Sequence, residues 1–300
     1  MGIESAAQNN LRANLGKANS EGIDFSINYR QDFKNGLWAS VLGNFTATRN
    51  KAVHLEEPEY PNAWSYRTGR MINQPFGFIA ERLFVDDKEA ANSPVQNFGD
   101  FLPRGGDIKY RDINQDGVIN QEDMVPIGLP STPQIIYGFG FSVGYKNFDM
   151  SAFFQGSARS SFFIDPTART DFDYGIFGTA PFANNAQILQ AYADDHWSEE
   201  NQNLYALWPR LSTYEIQNNQ QTSTWWLRNG SFIRLKSVEA GFTFPKRWSN
   251  AIYLSNMRIY FSGLNLLTFS SFKLWDPELA GNGFAYPVQK VFNIGLKLDL

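Results

Sequence analysis

The residues best spaced for chemistry lie in one acidic turn, Asp112 to Asp123, reading DINQDGVINQED. Counted as a calcium loop, it places side-chain oxygens at positions 1, 3, 5, 9 and 12 through Asp112, Asn114, Asp116, Asn120 and Asp123. Gly117 falls at position 6, where the chain must turn sharply, and Val118 at position 7, where a backbone carbonyl serves. Calcium gathers about 6–8 oxygens around such a turn, so the spacing predicts a Ca2+ site built from Asp112, Asn114, Asp116, Val118, Asn120 and Asp123. Its role would be to stiffen a loop, not to catalyse. Two features argue against it: Asp123 is shorter than the usual bidentate Glu, and the flanking text reads as strand rather than helix. An Asx-rich turn that closes on its own backbone has the same composition.

Other chemistry is poorly supplied. There are only two histidines, His54 and His196, and no cysteine; this excludes thiolate catalysis and zinc-thiolate sites. Neither histidine sits in a hydrolase-like or metal-spaced motif, and both read as loop surface residues. The acid pairs Asp194-Asp195 and Glu199-Glu200 have the residue type for glycoside hydrolysis, but they read as solvated loop. No catalytic residue is assigned, and the chain is not expected to be an enzyme. Loop aromatics form a third group: Trp64, Tyr66, Trp197, Tyr205, Trp208, Trp225, Trp226 and Trp275. Sugar rings stack on such faces, yet loop packing accounts for most of them. Trp225 and Trp226, just ahead of a strand, suit an interfacial aromatic girdle.

The elements that would position these residues are strands. Aromatics make up 16% of the 300 residues and charged residues 19%, against roughly 25% charged in soluble domains. No apolar run approaches the ~20 residues of a membrane helix. A net charge of −4 without a basic run makes nucleic acid an improbable partner, and the first residues, MGIESAAQNN, hold no apolar signal core. From Gly22 onward Ile23, Phe25, Ile27 and Tyr29 alternate with Asp24, Ser26, Asn28 and Arg30, and Asn35-Gly36 marks a tight hairpin into a strand over 37–49. Residues 134–156 read as a second hairpin turning at Lys146-Asn147, with Ile135, Tyr137, Phe139, Phe141, Val143 and Tyr145 on one face. Three more strands are expected at 228–244, 254–268 and 288–300. The first of these changes parity between Leu235 and Val238, which predicts a β-bulge near Lys236.

The connections fall into two kinds. Those at 34–36, 146–147 and Pro245 to Asn250 are tight, whereas 51–133, 157–227 and 269–287 are long and polar. Transmembrane barrels show this asymmetry, with short periplasmic turns and long extracellular loops, and their strands need only about 10 alternating residues. A soluble β-sandwich carbohydrate-binding module with a dockerin-like calcium loop is the alternative from another class, since alternation alone fits both.

The segment GDIKYRDINQDGVINQEDMVPIGLPSTPQIIYGFGFSVGYKNFDMSAFFQG, residues 106–156, closely resembles the C-terminal region of SusC/RagA transporters. Collinear with it are NLGKANSEGIDFSINYR, HWSEENQN, WPRLS, SFIRLKSVEAGFTFP, MRIYFSGLNLLTF and WDPE. The resemblance implies an all-β chain: the C-terminal portion, about seven antiparallel strands, of a large transmembrane β-barrel with long extracellular loops, in the bacterial outer membrane. It implies a nutrient importer for oligosaccharides or peptides, lidded by a SusD-like surface lipoprotein and driven by TonB through a plug and N-terminal box. Residues 1–300 are then expected to be a partial barrel domain, with plug and signal peptide absent and TonB engaging a region missing from this chain.

Overall fold

The computed structural model describes residues 15–300 except 167, 170–175, 178–187, 282 and 284. The expected lack of a signal core at the start of the chain, and the middle of the loop expected at 157–227, lie outside the described residues. Seven strands form one antiparallel sheet: β1 (Lys17–Asp32), β2 (Leu37–His54), β3 (Ile135–Tyr145), β4 (Phe148–Ala158), β5 (Phe232–Thr243), β6 (Asn256–Ser270) and β7 (Val291–Asp299). They pair in sequence order, each with its chain neighbours. The shortest has 9 residues, within the roughly 9–11 that a tilted membrane-crossing strand requires.

The register turns the alternation of each strand into rows that cross the whole sheet. One row runs Tyr29, Val41, Phe141, Ala152, Val238, Gly263 and Phe292; the next runs Gln31, Ala39, Val143, Met150, Ala240, Phe261 and Ile294. Between them on the opposite face lies Arg30, Ser40, Ser142, Ser151, Glu239, Ser262 and Asn293. One face is therefore apolar and the other polar over a width of about 30 Å, at ~4.8 Å per strand. The bulge sits where the parity change places it. Leu235 pairs with Phe154 and Ser237 with Phe153, leaving Lys236 unpaired, and a matching shift occurs against β6. The extra residue keeps Leu235 and Val238 on the apolar face despite their opposite parity.

Among the described residues nothing packs on that apolar face. Phe141 is 43% exposed, Phe292 62% and Ile294 80%. The buried core lies elsewhere, in side chains from the three long connections: Leu83, Ile108 and Tyr110 from the first, Tyr192, Trp208 and Trp226 from the second, Phe272 from the third. A sandwich would seal the strand-borne Phe, Ile and Leu between two sheets, so the soluble sandwich reading is corrected. A bare apolar face of this size is unstable in water and stable against hydrocarbon.

Short connections share one end of the sheet and long ones the other. Phe33–Gly36 closes β1 to β2 with a Gly36 to Phe33 backbone hydrogen bond of 3.2 Å, and only Gly36 takes a positive φ, of 80°. The loop is thus four residues, one more than the tight connection expected at 34–36. Lys146-Asn147 joins β3 to β4. The third link is longer than expected, because Lys246–Ala251 forms a short helix after Pro245. At the far end β1 starts at Lys17 and β2 runs to His54, both past their apolar alternation. Cross-strand pairing carries them on as polar ribbon, so the long connections become 55–134, 159–231 and 271–290.

Replacing Phe141 by Arg places a charge at the middle of the apolar face and should cost ~2–4 kcal/mol of stability in a bilayer. Ser142→Arg, on the polar face, should cost little. Denaturant unfolding in detergent micelles checks this, and equal losses at both positions would contradict the assignment of faces.

Candidate functional site

Two regions concentrate polar side chains: the inner face of the sheet and the assembly of long connections above it. On the inner face Arg258 bridges strands, meeting Asp149 at 2.5 Å and Glu239 at 2.7 Å. Glycines there are floors for large neighbours: a Cβ on Gly144 would collide with Trp38, one on Gly241 with Arg258, and one on Gly295 with Tyr260. Glycine on this face thus makes room for side chains lying flat across the ladder, a use beyond merely widening a pore. Arg234 is 1% exposed. Its guanidinium holds Asp276 at 2.6 Å, Glu278 at 2.5 Å and Thr268 Oγ1 at 3.1 Å, which ties the third long connection back onto the wall.

The loop assembly is stapled by a buried polar network between the first and second connections. Asp107, fully buried, receives Arg210 Nε at 2.7 Å and Nη2 at 3.1 Å, and Asn219 Nδ2 at 2.8 Å. Asn219 Oδ1 accepts from Ile108 N at 2.9 Å, and its carbonyl accepts from Trp226 Nε1 at 2.9 Å. Asn218 accepts from Gln96 Nε2 at 2.8 Å and, through its carbonyl, from the Tyr110 hydroxyl at 2.7 Å. Burial pushes the Asp107 carboxyl up and the Arg210 guanidinium opposes it; burial also pushes the Tyr110 phenol up. Removing one partner would leave buried groups unsatisfied at ~1–3 kcal/mol each. Gly106, with φ 82°, lies under Trp197, where any Cβ would strike the indole.

None of these network residues carries a signal as an isolated residue. The signal that does point at them is the set of collinear segments, because their pairings are these contacts. Asp107 lies in GDIKY and Arg210 in WPRLS; Arg234 lies in SFIRLKS and Asp276 and Glu278 in WDPE; Trp197 lies in HWSEENQN. Asn218 and Asn219, in a run of polar residues, had no such marker.

The acidic turn is a closed, hydrogen-bonded loop. Asp112 accepts from Gln115 N at 2.6 Å and Gly117 N at 2.8 Å, Asn114 from Asp116 N at 3.1 Å, and Asp116 from Val118 N at 2.8 Å. Asn120 and Asp123 cap the turn Gln121–Asp123 reciprocally. Asp123 is fully buried and accepts from Ile113 N at 2.7 Å and Asn120 N at 2.9 Å. Asn114 Nδ2 donates to Asp116 Oδ2 at 2.9 Å on the outer side, whereas position 12 faces inward to brace backbone. Among the described residues no three His, Asp or Glu side chains converge as a metal cluster.

The loop aromatics divide differently from expectation. Trp226 is 1% exposed and stands 4.6 Å from the Trp208 ring, which stacks on Tyr192 at 3.6 Å. Trp225 packs against the same core. Both are loop-core residues, so the girdle reading of Trp225 and Trp226 is corrected: the short strand that follows them, Leu227–Asn229, pairs with Ser161–Phe163 among the long connections, and the sheet strand begins only at Phe232. Trp197 is buried too, Trp64 donates to the Glu122 carbonyl at 2.8 Å, and Trp275 to the Ala280 carbonyl at 2.8 Å. Tyr66 packs edge-on against Tyr60, while Tyr205 is 72% exposed. His54 ends β2 on the surface, and His196 is half-buried with Nδ1 2.7 Å from the Ala193 carbonyl.

A ribbon of seven antiparallel strands with one apolar and one polar face, short turns at one end and a packed loop cap at the other has the make-up of the wall of a large transmembrane β-barrel. No protein-family model matches the chain. Over 92% of its length it is 27% identical to the TonB-dependent receptor P3 of Formosa agariphila, and over 97% it is 26% identical to TonB-dependent receptor P26 of the same species. It is 22% identical over 96% of its length to the TonB-dependent receptor SusC of Bacteroides thetaiotaomicron. The chain spans 26%, 30% and 27% of those relatives respectively. Among solved structures, the RagAB peptide transporter aligns with 95% of the chain at a TM-score of 0.64 and 19% identity, the chain covering 29% of it. The chain is thus similar to TonB-dependent receptors, SusC among them, over a limited part of their length, and shares its fold with part of the RagAB transporter.

Glu89 offers a pH test of the loop assembly. Hydrogen bonds from Arg82, at 2.5 and 2.9 Å, against the opposing effect of burial, and further donors from Val85 N and Lys109, bring its carboxyl down from 4.5 to about 2. A carboxyl depressed by folding stabilises above its unfolded pKa and loses that contribution as pH falls through the folded one. Limited proteolysis of the segment 82–109 should accelerate between pH 4.5 and about 2, and Glu89→Gln should flatten that window. An unchanged acid profile in the variant would contradict the assignment.

Proposed function

We propose that this chain supplies wall strands and the outer loop assembly of an outer-membrane nutrient importer, with a SusD-like lipoprotein resting on the loops. The observation that carries the reading is the unpacked apolar face, joined to likeness with TonB-dependent receptors over nearly the whole chain. In the membrane the outward side chains would meet acyl chains, and the edges of β1 and β7, each unpaired on its outer side among the described residues, would need further strands of the same barrel. The long connections would face the cell exterior and the short turns the periplasm. Substrate would be an oligosaccharide or a peptide, and TonB would act through a region outside this chain. No bond is made or broken in this account; the polar inner face and the stapled loops position and pass a solute.

The test is fractionation and pull-down of the protein that carries this chain from its own cells. It should partition with the outer membrane, require detergent, and bring down a surface lipoprotein. A monomer in plain buffer that binds oligosaccharide would overturn the proposal in favour of a soluble module.

We also propose that calcium joins the acidic turn through Asp112, Asn114, Asp116, the Val118 carbonyl, Asn120 and Asp123, the support being the position-for-position spacing. Calcium should raise the melting temperature by a few degrees, chelator should reverse it, and Asp112→Asn should abolish the difference. Identical melts with calcium and with chelator would leave the hydrogen-bonded turn as the complete account.

A further inference from the structure

The apolar face is not uniform, and a depression in it leads to a cationic helix. Ala240 stands low among Phe148, Met150, Phe242, Phe261 and Ile294, leaving a groove of about 520 Å3 near the short-turn end. From the groove an aromatic ladder climbs towards that end. Phe148 lies 4.7 Å from Phe242, Phe242 5.1 Å from Phe244, and Phe244 5.9 Å from Trp248, whose ring has the Arg247 guanidinium 6.0 Å away. Trp248 is 49% exposed, and Lys246 and Arg247 beside it are exposed as well. Among the described residues neither cation has a carboxylate partner.

These features fit one ligand. Hydrocarbon fills an apolar groove, indole favours the headgroup level, and exposed Lys and Arg at a membrane surface attract anionic lipid. We propose that the groove and the helix Lys246–Ala251 form a single site for an anionic glycerophospholipid of the leaflet at the short turns. One acyl chain lies along Ala240, the glycerol stands beside Trp248, and Lys246 and Arg247 hold the phosphate. A general lipid annulus asks for neither the notch at Ala240 nor two unpaired cations at the end of an aromatic ladder that starts in it. The inference rests on the reading that the apolar face meets lipid.

The test uses the whole protein that carries this chain, reconstituted in phosphatidylcholine vesicles with a minor fraction of lipid carrying brominated acyl chains. The Trp248 signal is taken as the difference between the native chain and Trp248→Phe. Brominated phosphatidylglycerol should quench it at about tenfold lower content than brominated phosphatidylcholine, from two cations at the surface. Lys246→Gln with Arg247→Gln should remove that preference, and Ala240→Phe should reduce quenching by either lipid. Equal quenching by the two headgroups, or a preference that survives the double substitution, would overturn the site while leaving the barrel reading intact. Loss of the preference on adding inorganic phosphate would make it a free-anion site and overturn the lipid assignment. A whole protein that never enters the vesicles would overturn both readings.

Discussion

The constraint on which the structure depends is that, among the described residues, the apolar face of the seven-stranded sheet has no protein to bury itself against. In most folds a sheet and its neighbours share one core; here the two are separated. The strands hold Phe, Ile, Leu and Val outward, and the core is made by side chains of the long connections. Apolar surface gains roughly 25 cal/mol per Å2 on leaving water, so a face of this extent must find hydrocarbon. Everything else follows from that separation: strand lengths, the polar inner rows and the placement of loops at one end.

The loop assembly solves a second problem. Long connections with irregular backbone need partners for their N–H and C=O groups, and a purely apolar core would not supply them. Asp107, Arg210, Asn218 and Asn219 do so by crossing between two connections far apart in sequence, and Arg234 with Asp276 and Glu278 brings in the third. A cap joined in this way is tied to the wall by buried polar contacts.

Much of the wall was legible because strand periodicity is local. Alternation located all seven strands, and the change of parity between Leu235 and Val238 located the bulge at Lys236 before any pairing was known. The two kinds of connection followed from turn residues and length. What stayed hidden has no local period. Trp225 and Trp226 precede a strand in the chain but belong to the loop core through Trp208 and Asn219, contacts across distant segments. Asp123 has the spacing of a ligand, yet its burial against Ile113 and Asn120 depends on how the turn closes. The helix after Pro245 looks like a tight turn in the sequence, since six residues are too few to show a helical period.

The central claim is that alternate residues of one strand face lipid and water. The native chain has no cysteine, so single cysteines at positions 139 to 144 of β3 can each carry a nitroxide without background. With the protein in its membrane, oxygen accessibility should peak at 139, 141 and 143, and a water-soluble relaxant should reach 140, 142 and 144 instead. Equal accessibility at both parities, or protection of 139, 141 and 143 from both agents, would contradict the account.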